Sequence, residues 1–82
     1  MLSGRWRRPL TCKEVKHILT NLGFAPRERK STSHEQWVKK ADGRCWKVTV
    51  DCPKAPFSDM LVGSMARQAG VSVKDFYLAL KK

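Results

Sequence analysis

Acidic residues are scarce in this chain. Asp and Glu number 7 against 17 Lys and Arg, a net charge of +10 over 82 residues. Such an excess implies a polyanionic partner, or an acidic protein that masks the charge. Long apolar runs are missing too: none approaches the ~20 residues that a membrane span requires. The opening segment, Met1 to Leu10, carries arginines without an apolar stretch and is not expected to be a secretory signal. Cysteine is limited to Cys12, Cys45 and Cys52, an odd number without Cys-x-x-Cys spacing. Neither a disulfide framework nor a zinc site is expected, and a reducing cytoplasm is the default setting. Histidine occurs twice, at His17 and His34, so imidazole chemistry has two places to be. Internal repeats, low-complexity runs and linkers are absent from the sequence.

What is present suits one small domain, with 41% hydrophobic residues for a modest core. Residues 1–10, with Arg5-Trp6-Arg7-Arg8-Pro9, read as a basic arm, solvated or in touch with RNA, and residues 11–82 as the domain. Thr11-Cys12-Lys13-Glu14 has the pattern of a capping box opening a helix. Val15, Ile18, Leu19 and Leu22 form its apolar stripe, with Cys12 as a small core residue on it. Gly23 is placed to end the helix, with Phe24 folding back. His17 falls opposite the stripe and reads as a solvated helix residue. Strands are expected over Ala25 to Lys30, His34 to Lys40 and Arg44 to Asp51. Asp42-Gly43 is the hairpin signal between the last two. Ser58 caps a second helix that carries Leu61, Val62, Met65 and Ala69 and ends at Gly70, and Phe57 and Val62 suit a hydrophobic staple. A short last helix starts at Ser72, with Val73, Phe76, Tyr77 and Leu80 facing inward.

The hairpin decides where the second histidine points. A two-residue turn pairs Trp37 with Val48 and His34 with Asp51. Trp37, Trp46, Val48 and Val50 then share one face, and His34, Gln36, Lys47, Thr49 and Asp51 the other. A register slip of one residue would put Trp37 beside Lys47 and the histidine among the valines, so the apolar set selects the first register. The fold class expected is α+β with the order α-β-β-β-α. Two helices cover one face of a three-stranded antiparallel sheet, and a short extra helix follows. Double-stranded-RNA-binding domains have the same order.

The stretch Ser31-Thr32-Ser33-His34-Glu35-Gln36-Trp37-Val38 follows the basic run Arg27-Glu28-Arg29-Lys30. It places one imidazole at the mouth of a strand beside a cationic approach. Imidazole is the group whose ordinary pKa suits proton transfer near neutrality; the alternative for His34 is an exposed surface histidine. Lys30, Ser33 and Lys47 are the candidates for holding RNA. Ser33 lacks the partners of a nucleophile and reads as a turn former. Asp51 either holds the imidazole tautomer or simply ends a strand.

Four motifs in order carry a resemblance: Leu22-Gly23-Phe24, Thr32-Ser33-His34 before a strand with Trp37, Asp42-Gly43 with Val48-Thr49-Val50, and Arg67-Gln68-Ala69-Gly70-Val71-Ser72. From Thr11 to Leu80 the chain resembles the HicA family, small mRNA-cleaving toxins of bacterial toxin–antitoxin pairs. Thr32 stands where many members have glycine, and the segment from Asp51 to Phe57 departs from the usual Pro-x-His type. The resemblance implies a double-stranded-RNA-binding-domain-like fold and a metal-independent ribonuclease without a cofactor. It implies that His34 is catalytic and that a HicB-type antitoxin covers the active face. Two other readings compete with it: a non-catalytic RNA-binding module, and a protein-binding domain whose charge serves an acidic partner.

Overall fold

The computed structural model describes residues 8–27 and 34–81. Helix α1 (Cys12–Asn21) is followed by β1 (Ala25–Pro26), β2 (His34–Ala41) and β3 (Arg44–Asp51). A 3-10 turn (Cys52–Lys54), α2 (Asp59–Ala69), α3 (Val73–Leu78) and a last 3-10 turn (Ala79–Lys81) complete it. The expected α-β-β-β-α order is present, with an antiparallel sheet in the order β1-β2-β3.

Each helix starts where the sequence provides a cap. Thr11 accepts from the Glu14 N–H at 3.1 Å while the Glu14 carboxylate accepts from the Thr11 N–H at 2.9 Å, which closes the capping box. Ser58 and Ser72 cap α2 and α3 in the simpler way. At the far end of α1, the Phe24 N–H reaches the Leu19 carbonyl and the Gly23 N–H reaches the Thr20 carbonyl, the paired bonds of a Schellman motif. At the end of α2, Gly70 has φ +77°, and a Cβ there would lie 2.7 Å from the Trp46 ring. Both the backbone conformation and the close approach of β3 therefore require glycine at this position.

The two-residue turn is formed by Asp42 (φ +54°) and Gly43 (φ +71°). Its mirror-image twist matches that of the strands. The register runs from Ala41 opposite Arg44, through Trp37 opposite Val48, to His34 opposite Asp51, as the apolar pattern requires. β1 is short: Ala25 pairs with Val38 and Pro26 with Trp37. The part of the expected first strand over 28–30 lies outside the described residues.

Trp37, Val48 and Val50 share the core with Val15, Ile18 and Leu19 of α1, Val62 and Met65 of α2, and Phe76 of α3. The opposite face of the sheet carries His34, Gln36 and Lys40 on β2 and Lys47, Thr49 and Asp51 on β3, and none of these is buried.

Two expectations are corrected. Arg8, Pro9 and Leu10 belong to the folded body and not to an arm. Leu10 is fully buried and bridges to Phe57 through paired main-chain hydrogen bonds, and the Tyr77 hydroxyl donates to the Arg8 carbonyl at 2.6 Å. Cys12 and Cys52 are joined by a disulfide, with Cα atoms 5.2 Å apart. The end of β3 returns to the first turn of α1, so cysteines 40 residues apart in sequence meet. Cys45 is free and exposed.

Arg8 forms a two-pronged ion pair with Glu14, at 3.0 and 2.7 Å. The Arg8 guanidinium, helped by the Thr11 main chain, lowers the Glu14 carboxyl from 4.5 to about 2. A carboxyl depressed on folding stabilises the fold above its unfolded value and loses that contribution as the pH falls toward its folded value. Glu14→Gln is therefore expected to lower stability by about 1 kcal/mol at neutral pH. The gap to the parent should close between pH 4.5 and about 2 in denaturant titrations. A gap that persists unchanged to the acid limit would show that the carboxylate is not responsible.

Candidate functional site: a histidine at the mouth of an open hollow

His34 is the first residue of β2 and Asp51 the last of β3, so the hairpin register alone sets them opposite each other. Their side chains rise on the open face. His34 Nε2 lies 3.8 Å from Asp51 Oδ2, with the imidazole 55% exposed and the carboxylate 19% exposed. At that separation the interaction is electrostatic, longer than a hydrogen bond.

The residues after His34 hold the start of β2 in place. The Glu35 carboxylate accepts from the Lys16 ammonium at 2.9 Å and from the Trp37 indole at 3.2 Å, which ties the strand to α1 on the core side. The Gln36 carbonyl accepts from the Arg27 N–H at 2.7 Å, and its side-chain oxygen accepts from the Thr49 hydroxyl at 3.3 Å. His34 is thus presented to solvent from a strand fixed on both faces.

Beyond Asp51 the 3-10 turn curls the chain back toward the sheet, and α2 then runs along the outer edge of β3. Between them lies an open hollow of about 250 Å³. His34, Thr49, Asp51, Lys54, Ser64 and Gln68 supply its polar lining, and Phe57, Leu61 and Met65 its apolar lining. The Gln68 side-chain oxygen accepts from the Thr49 N–H at 3.1 Å. It takes the place of a fourth strand on that edge.

The positions expected from sequence divide three ways. His34 lies on the open face with Asp51 across from it. Lys30 and Ser33 fall outside the described residues. Lys47 shares the open face, but it is opposite Val38, four residues along the ladder and about 13 Å from the histidine pair at strand spacing. It does not line the hollow. Lys54 does, and sequence reading assigned it no role. The available signal was its place in the basic loop directly after the strand that ends opposite the histidine. His17 is exposed on α1, away from this site. Among the described residues no group of three or more His, Cys, Asp or Glu side chains is arranged to hold a metal ion, and no helix is long and apolar enough to cross a membrane.

Compared with family models, with curated proteins and with solved structures, the chain matches none.

Proposed function

We propose that this domain is a metal-independent endoribonuclease that cuts mRNA and so stops translation, the toxin of a type II toxin–antitoxin pair of the HicA kind. The observation that carries the reading is the His34–Asp51 pair at the mouth of a hollow that also contains Lys54. RNA brings its own nucleophile, the 2′-hydroxyl beside the scissile phosphate. His34 accepts that proton as the oxygen attacks phosphorus, or protonates the 5′-oxygen as it leaves. The products are a 2′,3′-cyclic phosphate and a free 5′-hydroxyl, so no metal or cofactor is needed to balance the step. The Lys54 ammonium stabilises the charge that gathers on the phosphorane oxygens. Asp51 orients the imidazole. The net charge of +10 draws the RNA in.

The wider setting follows from the sequence motifs: a cytoplasmic protein, with a HicB-type antitoxin seated on the open face. In a reducing cytoplasm the Cys12–Cys52 bond is exposed to reduction. Induction of the chain with and without its neighbouring gene, while growth and mRNA integrity are followed, tests the reading directly. Arrest with fragmented mRNA, relieved by the neighbour, supports it. RNA binding without cleavage or arrest would leave a non-catalytic RNA-binding module.

A second measurement separates RNA from an acidic protein as the partner. RNA affinity should fall steeply with salt as phosphate counterions are released. Lys54→Ala should flatten the log–log slope by about 0.7 if it makes one contact to a single strand. Lys47→Glu, on the same face, should weaken binding with little change in stability. Affinity that ignores salt would favour the protein partner.

A further inference from the structure

We propose that the hollow beside His34 is a nucleobase subsite, and that Gln68 selects a base with a keto oxygen at pyrimidine C4 or purine C6, uracil or guanine, over one with an amine at that position, cytosine or adenine. The inference rests on the reading above only in taking RNA as the ligand.

The size of the hollow comes first. At about 250 Å³ it falls below the ~300–1,000 Å³ of pockets for drug-sized ligands. That is a volume suited to a single base and not to a larger ligand. The lining has the right division of labour. Leu61 is part-exposed and gives most of the apolar surface of the hollow, while Phe57 and Met65, almost wholly buried, show only their edges at its floor. Lys54 supplies the cation for the backbone that must enter with the base.

Gln68 supplies the discrimination. A glutamine amide normally offers both a donor and an acceptor, and so reads a base edge ambiguously. Here its oxygen is committed to the Thr49 N–H at 3.1 Å. That bond fixes which way the amide is turned and occupies one lone pair of its oxygen, so the NH2 group is what Gln68 most readily offers a ligand. An NH2 donor matches uracil O4 or guanine O6. It meets the exocyclic amines of cytosine and adenine donor to donor. Glutamate at this position would still accept from Thr49, yet would offer an acceptor in place of the donor, which suits the cytosine amine.

The test uses the whole chain and two 2′-fluoro pentanucleotides, one of uridine and one of cytidine. Lacking the 2′-hydroxyl, they are bound but not cut. Affinities are read by fluorescence anisotropy. The parent protein should bind the uridine pentamer roughly twofold to tenfold more tightly, the worth of one hydrogen bond. Gln68→Glu should reverse the order, and Gln68→Ala should erase it. Equal affinities in the parent overturn the proposal. So does a Gln68→Glu variant that weakens both oligonucleotides by one common factor, since that is charge repulsion and not base reading. The parent comparison stands even if a variant fails to fold. Cleavage of the matching RNA pentamers is followed in parallel. A base preference without cleavage defeats the catalytic reading and leaves the subsite standing. Cleavage without a preference does the opposite, and a chain that binds neither pentamer defeats both.

Discussion

His34→Ala should remove RNA cleavage and leave the fold in place. The imidazole is more than half exposed at the first position of β2, on the face away from the core, so its loss opens no cavity. The register that presents it is set by the Asp42–Gly43 turn and by Trp37 and Val48, none of which it supports. Loss of a positioned acid–base group costs about 10²–10⁴-fold in rate. On the proposed mechanism no other histidine replaces it, because His17 is exposed on α1, away from the sheet's open face. His17→Ala is therefore the control and should retain activity and toxicity. The checks are the cleavage rate of a labelled RNA, growth on induction, and a thermal melt of both variants. A His34→Ala protein that melts normally, cuts RNA and arrests growth would end the catalytic assignment. One that unfolds would make the histidine a structural residue.

The second large effect is on stability and comes from the edge of the described chain. Leu10→Ala is expected to destabilise the domain by about 2–5 kcal/mol, the range for a truncated core side chain. Leu10 is fully buried, and its main chain exchanges two hydrogen bonds with Phe57, at 3.3 and 2.7 Å. It thereby clamps the segment that leads into α2. A domain of this size has only about 5–15 kcal/mol in total, so the midpoint of thermal unfolding should fall by roughly 10 °C or more. Leu78→Ala, at a side chain 48% exposed, is the comparison and should stay within about 0.5 kcal/mol of the parent. If the two variants melt alike, Leu10 is not part of the core. Because Phe57 also lines the hollow beside His34, the Leu10 variant should lose RNA affinity together with its fold and not before it.

Much of this architecture was legible in the residues because it is local. Thr11 with Glu14, Ser58 and Ser72 place the helix starts, since capping bonds span three residues. The Asp42–Gly43 turn and the alternation of Trp46, Val48 and Val50 specify the hairpin, because a slip of one residue would turn every apolar side chain outward. The pairing of His34 with Asp51 followed from that register, 17 residues apart in sequence yet counted off a single turn. The expected core of Val15, Leu19 and Met65 around Trp37 is the observed one.

What tertiary structure alone decided lies between elements that no turn connects. Composition and spacing argued against a disulfide, yet the return of β3 to the first turn of α1 brings Cys12 to Cys52. Leu10 looked like the end of a charged arm, but Phe57, 47 residues later in the chain, bridges to it in the core. Gly70 was readable as a helix stop, while the Trp46 ring that also requires it there was not. Lys47 shares a face with His34 but not a site, and Lys54 and Gln68 share a site without any sequence pattern that joins them. Alternation along a strand says which way a side chain points. How a helix lies along the edge of a sheet is set by the packing of buried side chains from distant segments, and that placement brings the base-sized hollow to His34.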